Sequence, residues 1–246
     1  MAEACQALST PVTGGNVSFY NETEGEAVYP TPVVGMLGLL EDLDKRLGSG
    51  FRSQGDTVAL LGKVWGDERS LAGSEYLERV WGKVAGNPRE PDLVLEKGLI
   101  EVLVEGASSG LFSSAQDLSE GGLAVALAES CIHGDERAGA QGAEISLGGL
   151  GCRGATGVRP DAMLFGECNS AVVVSFPPAR EAEVKDLCSK HSVPIAVLGT
   201  VGGQDLVIRD CAGEEVVRLS CDRMEEAWRG GIPRALAAGT DGRPKA

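Results

Sequence analysis

The stretch from Thr13 to Tyr29, TGGNVSFYNETEGEAVY, gathers glycines, amides, hydroxyls and carboxylates between two apolar runs. Gly14 and Gly15 would let a phosphate approach the backbone with no side chain in the way. Asn16 and Ser18 alternate along an extended segment and so face one side. An amide oxygen at Asn16 suits hard, oxygen-seeking Mg²⁺, and a hydroxyl at Ser18 suits a phosphate or ribose oxygen. The same residues would also serve a plain hairpin turn, with glycine for positive φ and asparagine for an Asx turn.

Two further stretches carry chemistry. In DLSEGGLA (117–124) Asp117 stands at a strand end, and a glycine pair opens a helix whose dipole points at the gap. That arrangement suits a metal and a phosphate, although Asp117 or Ser119 could equally cap the helix while Gly121 and Gly122 allow close packing. In LFGECNSAVVV (164–174) Glu167 lies between two apolar runs. A carboxylate there is costly to bury unless paired, so it either lines a cleft or anchors a loop by accepting backbone N–H bonds. His133 and His191 each follow a helical pattern, where an imidazolium at the C-terminus is favoured, and neither has a triad-like neighbour. Trp65, Trp81 and Trp228 are too dispersed to form a platform for stacked bases and read as core or interface packing.

The elements that must position these residues follow from periodicity. AEACQALST reads as a short helix, and PVTGGNVSFYN and TPVVGMLGLLEDL read as strands joined by the polar loop. After the glycine- and serine-rich connector GSGFRSQGD come the strand TVALLGKV and the helices SEYLERVWG and PDLVLEKGLIEVLVEGASSG, the latter with Pro91 at its start. A strand ending at Asp117 precedes a helix beginning near Glu120 or Gly121. AEISL, SAVVVSF, PIAVLGTV and DLVIRD read as strands, PAREAEVKDLCSKH as a helix, and the chain closes on one or two short helices. This mixture predicts a layered α/β (α+β) fold. The expected domains are 1–55, 56–225 and a terminal helix with tail over 226–246.

Composition narrows the function. Lys and Arg number 22 against 36 Asp and Glu, a net charge of −14, which would repel an exposed nucleic acid backbone. A nucleotide pocket stays possible where backbone N–H groups or bound cations supply positive potential. The 7 cysteines are scattered without a C-x-x-C pair, and with only 2 histidines a zinc site or disulfide scaffold is not expected. No segment approaches the ~20 apolar residues that cross a bilayer. The expectation is a cytoplasmic protein that binds neither nucleic acid nor membrane.

Taken in order, TPVTGGNVSFYNETEGEAVYPTPVVGMLGLLEDLD, SAQDLSEGGLAVALAESC and LFGECNSAVVVSF resemble the C-terminal part of the synthetase subunit of the phosphoribosylformylglycinamidine synthase family. The resemblance runs from about residue 2 to about residue 235. It implies an aminoimidazole ribonucleotide synthetase-like fold: a partial N-terminal-type sheet domain followed by a complete C-terminal-type α/β domain. It also implies ligase chemistry in purine biosynthesis, in which ATP activates the amide oxygen of formylglycinamide ribonucleotide and glutamine-derived ammonia is joined to its amide carbon. Carried over by position, Gly15 contacts ATP, Asn16 ligates Mg²⁺ and Ser18 touches the ribonucleotide.

Asp117 and Glu167 match positions that, in the family's other repeat, lie at a metal site and at the substrate. In the repeat that this chain resembles, their cleft is expected to be a degenerate nucleotide site. Gln116 stands where the family often has His. The family's catalytic histidine, principal acidic magnesium ligands and ATP-contacting lysine belong to a first half without counterpart here, so no catalytic residue is expected in this chain. Its implied partners are that missing half, a glutaminase subunit and a small bridging subunit. Other readings are a noncatalytic nucleotide-binding half and another ATP-using member of the superfamily, such as a selenophosphate or thiamine phosphate enzyme.

Overall fold

The structure, a computed structural model, describes residues 1–16, 21–29, 31–134, 139–151 and 159–238. The chain divides into two compact units, Met1–Arg46 and Leu47–Ala246.

The first unit begins with helix α1 (Ala2–Ala7) and contains a small antiparallel hairpin, β1 (Glu22–Thr23) and β2 (Glu26–Ala27). Its turn is Glu24–Gly25, both with positive φ (55° and 86°), as a tight hairpin with right-handed strand twist requires. The strands expected over 11–21 and 31–43 do not form among the described residues, and Leu43–Lys45 is instead a 3-10 turn capped by Asp42. A strand is stable only when a neighbour takes its N–H and C=O groups, and the described part of this unit offers just the short hairpin. The apolar run therefore lies open: Leu37 is 99% exposed.

The second unit follows in the order β3 (Thr57–Gly62), α2 (Glu75–Trp81), α3 (Leu93–Ser108), β4 (Ser114–Asp117), α4 (Gly122–Ile132), β5 (Ala143–Ser146), α5 (Pro160–Phe165), β6 (Ala171–Phe176), α6 (Glu181–Lys190), β7 (Ile195–Val201), β8 (Asp205–Arg209), β9 (Glu215–Ser220) and α7 (Cys221–Ala238). Seven strands form one sheet in the order β4-β6-β3-β7-β5-β8-β9, antiparallel throughout except for β5 beside β8. β3 and β6 are buried at every position, which explains their largely apolar sequences, Thr57 and Ser175 excepted.

On one face Val58, Leu60 and Val173 pack with Leu123 and Leu127 of α4, Met163 of α5 and Met224 of α7. On the other, Ala59, Leu61 and Val174 pack with Leu99 and Val102 of α3 and Val184 and Leu187 of α6. The result is a sheet between two helical layers, the mixed α/β architecture expected.

Local chemistry sets the helix ends. Ser74 caps α2 by accepting the Leu77 N–H, and Asp92, directly after Pro91, caps α3 by accepting from Val94 and Leu95. His133 and His191 occupy the C-caps of α4 and α6. The described residues close on one helix, α7, which runs through Pro233 instead of breaking. Cys131, Cys168, Cys188 and Cys221 are buried free thiols, whereas Cys211 departs from the expectation by being disulfide-bonded. Among the described residues no helix is long and apolar enough to cross a membrane.

Candidate functional site

The loop of the first unit presents Gly14, Gly15 and Asn16 in an exposed segment without regular structure. Neither glycine has positive φ, and a Cβ built on either would meet nothing within 4 Å among the described residues. Among the described residues the hairpin turn lies at Glu24–Gly25. Neither backbone conformation nor packing within the described chain demands glycine at 14 and 15. Asn16 is exposed. Ser18 lies outside the described residues.

In the second unit, Glu167 resolves into the anchoring role. Its Oε1 accepts the Glu75 N–H at 2.8 Å and the Gly121 N–H at 2.9 Å, while its own N–H donates to the Ser70 carbonyl at 3.0 Å. Glu75 is the first residue of α2 and Gly121 precedes α4, so one carboxylate oxygen answers the positive ends of two helices. Neither Asp117 nor Ser119 caps α4, which has no side-chain cap at its own N-cap, Gly121. Ser119 donates instead to Glu120 at 2.6 Å. The glycine pair serves close packing: a Cβ on Gly122 (φ 63°) would come within 2.5 Å of the Gly166 carbonyl oxygen.

Asp117 ends β4 with its side chain exposed, on the rim of a cavity of about 260 Å³ shared with Pro91, Glu96, Asn169 and Ser170. Ser170 (φ 59°) donates a short hydrogen bond to Glu96 across this cavity. Ligand pockets usually span roughly 300–1,000 Å³, so the space suits a small polar group better than a whole nucleotide. Gln116, just before, donates to Glu129 at 3.1 Å.

A cationic cluster that the sequence did not signal lies in the segment leading to α3. Lys63 and Arg89 stand 3.7 and 4.5 Å from the Trp65 ring centroid, and Arg89 pairs with Asp67. Burial acts to raise the Asp67 carboxyl, but the Arg89 guanidinium and Ser70 hydroxyl outweigh it and hold the group below its ordinary value. The Asn169 amide reaches the Arg89 carbonyl at 3.5 Å, tying this cluster to the loop that carries Glu167. The sequence alone shows only packing at Trp65, because the cations that cover it come from separate positions in the chain.

The family described as AIR synthase related protein, C-terminal domain, matches residues 53–211. The phosphoribosylformylglycinamidine synthase subunit PurL of Moorella thermoacetica is 45% identical over 237 residues, covering 96% of this chain and 30% of that protein. The same subunit of Thermobifida fusca is 42% identical over 234 residues, covering 95% of this chain and 28% of that one. The resemblance read from the three stretches is borne out by these relatives. This chain spans about 30% of the length of the curated relatives it matches.

Among solved structures, T. maritima PurL complexed with FGAR superposes with a TM-score of 0.61 at 22% identity, covering 74% of this chain and 30% of that one. T. maritima PurL complexed with ATP gives 0.57 at 19%, covering 74% and 27%. At these identities the likeness concerns the fold, and it agrees with the seven-stranded layered unit. The chain belongs to the family of AIR synthase related proteins through their C-terminal domain.

Proposed function

We propose that the chain works as part of an ATP-dependent phosphoribosylformylglycinamidine synthase of purine biosynthesis, in the cytoplasm, completed by the portion that its relatives carry and this sequence lacks. The observation that carries this reading is the glycine pair 14–15, which nothing in the described chain requires and which leaves the backbone open to a ligand. The relatives named PurL and the solved PurL complexes with ATP and with FGAR support it.

In this reading the backbone at Gly15 lies against ATP, the Asn16 amide oxygen faces Mg²⁺ and Ser18 faces formylglycinamide ribonucleotide. The loop's work is alignment, holding the nucleotide and the amide oxygen in reacting register. Magnesium, when bound, offsets charge developing on the transferred phosphoryl group. A hard amide oxygen fits that ion, and the other ligands come from the completing portion. Among the described residues no group of three or more His, Cys, Asp or Glu side chains is placed to hold a metal. A glutaminase and a bridging subunit are the proposed further partners, as the solved T. maritima assembly named PurLQS suggests by analogy.

The test is reconstitution with the N-terminal portion of a PurL relative, with ammonia as nitrogen donor and phosphate release as readout. Asn16→Ala should abolish most of the reconstituted rate. An unchanged rate would end the catalytic reading and leave a purely structural role.

A further inference from the structure

In the Leu47–Ala246 unit a cleft of about 650 Å³ lies between the segment before α2, α2 itself and the loop after it. Arg69, Trp81, Lys83, Asn87 and Arg159 line it over an apolar floor that includes Leu71 and Leu77. Its size falls within the range of small-molecule sites. The walls are fixed by backbone bonds. Gly82 (φ 63°) ends α2, with its N–H on the Glu78 carbonyl and the Lys83 N–H on the Leu77 carbonyl, and the Gly73 N–H meets the Ala85 carbonyl.

The charge of the cleft opposes that of the chain. Three cations and a single carboxylate, Glu68, line it, in a protein with 22 basic and 36 acidic residues. Arg159 is already matched, bidentate with Asp161 and attracted by Glu68. Arg69 and Lys83 have no carboxylate within ion-pair distance among the described residues, although acidic groups are in excess overall.

Trp81 supplies an independent observation. Trp65 is covered by Lys63 and Arg89, and Trp228 carries Arg229 and the edge of His133. Among the described residues no ring or cation covers Trp81, which is 60% exposed beside the two unmatched cations. An indole face next to free cations, with an amide at Asn87, offers stacking to a base and donors to phosphate oxygens.

We infer that this cleft binds a nucleoside phosphate, its base on Trp81 and its phosphates on Arg69 and Lys83. The site lies apart in sequence from the Gly15–Asn16 loop and does not rest on the ligase reading.

Titration of the whole chain with ADP in the presence of a chelator, followed by tryptophan fluorescence, tests it. Saturable quenching is expected, lost in Trp81→Phe and weakened about tenfold by either Arg69→Ala or Lys83→Ala. Adenosine and inorganic phosphate should each bind at least about tenfold more weakly than ADP. Asn16→Ala should leave the titration unchanged, which separates this site from the loop. The inference falls if ADP does not saturate by about 1 mM. It also falls if the Arg69→Ala/Lys83→Ala double variant with a native melting profile binds as well as the parent, if phosphate alone binds as tightly as ADP, or if Asn16→Ala abolishes the signal.

Discussion

The carboxylate of Glu167 accepts the backbone N–H of Gly121 at 2.9 Å, joining the loop before β6 to the start of α4. The same oxygen holds the start of α2 through Glu75. Three segments distant in sequence are thus fastened at one atom.

Glu167→Ala should therefore cost stability before anything else. Two N–H groups lose a charged acceptor, and a loss of about 2–3 kcal/mol is expected. Glu167→Gln keeps one oxygen acceptor and should lose less than half of that. Urea unfolding of the three proteins compares them, and an alanine variant as stable as the parent would show that the bonds are replaced by water at no cost.

Asp56 gives a pH dependence. Its side chain is buried with Oδ2 lacking a partner among the described residues, and burial pushes its carboxyl above 3.8 although a bond from Ser113 pulls the other way. The folded state then holds this proton more tightly than the unfolded one. The associated stability is complete below 3.8 and is lost as pH rises through the raised folded value. Asp56→Asn, which cannot ionise, should gain about 1 kcal/mol over the parent at pH 8, shrinking as the pH is lowered to about 4. Thermal melts at both pH values decide it, and a gain that grows on acidification would contradict the assignment.

Gly62 and Gly15 should behave oppositely. A Cβ on Gly62, whose φ is 88°, would lie 1.9 Å from the Ser170 carbonyl oxygen, so Gly62→Ala should cost about 3 kcal/mol or prevent folding. Gly15→Ala meets nothing within 4 Å among the described residues and should melt like the parent. In the reconstituted ligase the same substitution should slow phosphate release at least about tenfold by displacing the nucleotide.

The exposed run Val33–Leu43 should make the isolated chain associate. Val33, Leu37 and Leu39 are 95%, 99% and 89% exposed, more apolar surface than a monomer usually leaves in one stretch. Light scattering should show concentration-dependent oligomers that Leu37→Asp/Leu39→Asp disperses. A parent chain that stays monomeric at all concentrations would show the run to be harmless.

What the sequence disclosed depended on range. The apolar runs Val58–Leu61 of β3 and Ala171–Val174 of β6, and the Pro91–Asp92 start of α3, are written in neighbouring residues and were legible. The strand expected over 31–43 failed because apolar, β-prone composition gives only half of a strand, and the partner edge must come from elsewhere. β9 went unseen because Val216 and Val217 are flanked by charges, and α5 because it is a single short piece beginning at Pro160. At the candidate sites, Asn16 and Gly15 could be named from local residue types. The clamp at Glu167 required Glu75 and Gly121, 92 and 46 positions away, and the cleft of Arg69, Lys83 and Arg159 joins segments with no common pattern.

An interior strand of the sheet, β3, pairs with β6 and β7, both of which lie far downstream in the chain. During synthesis it must therefore emerge from the ribosome long before either neighbour exists. Its apolar side chains, Val58 to Leu61, stay without shelter until those strands follow, which makes this protein a natural client of chaperones that shield nascent strands.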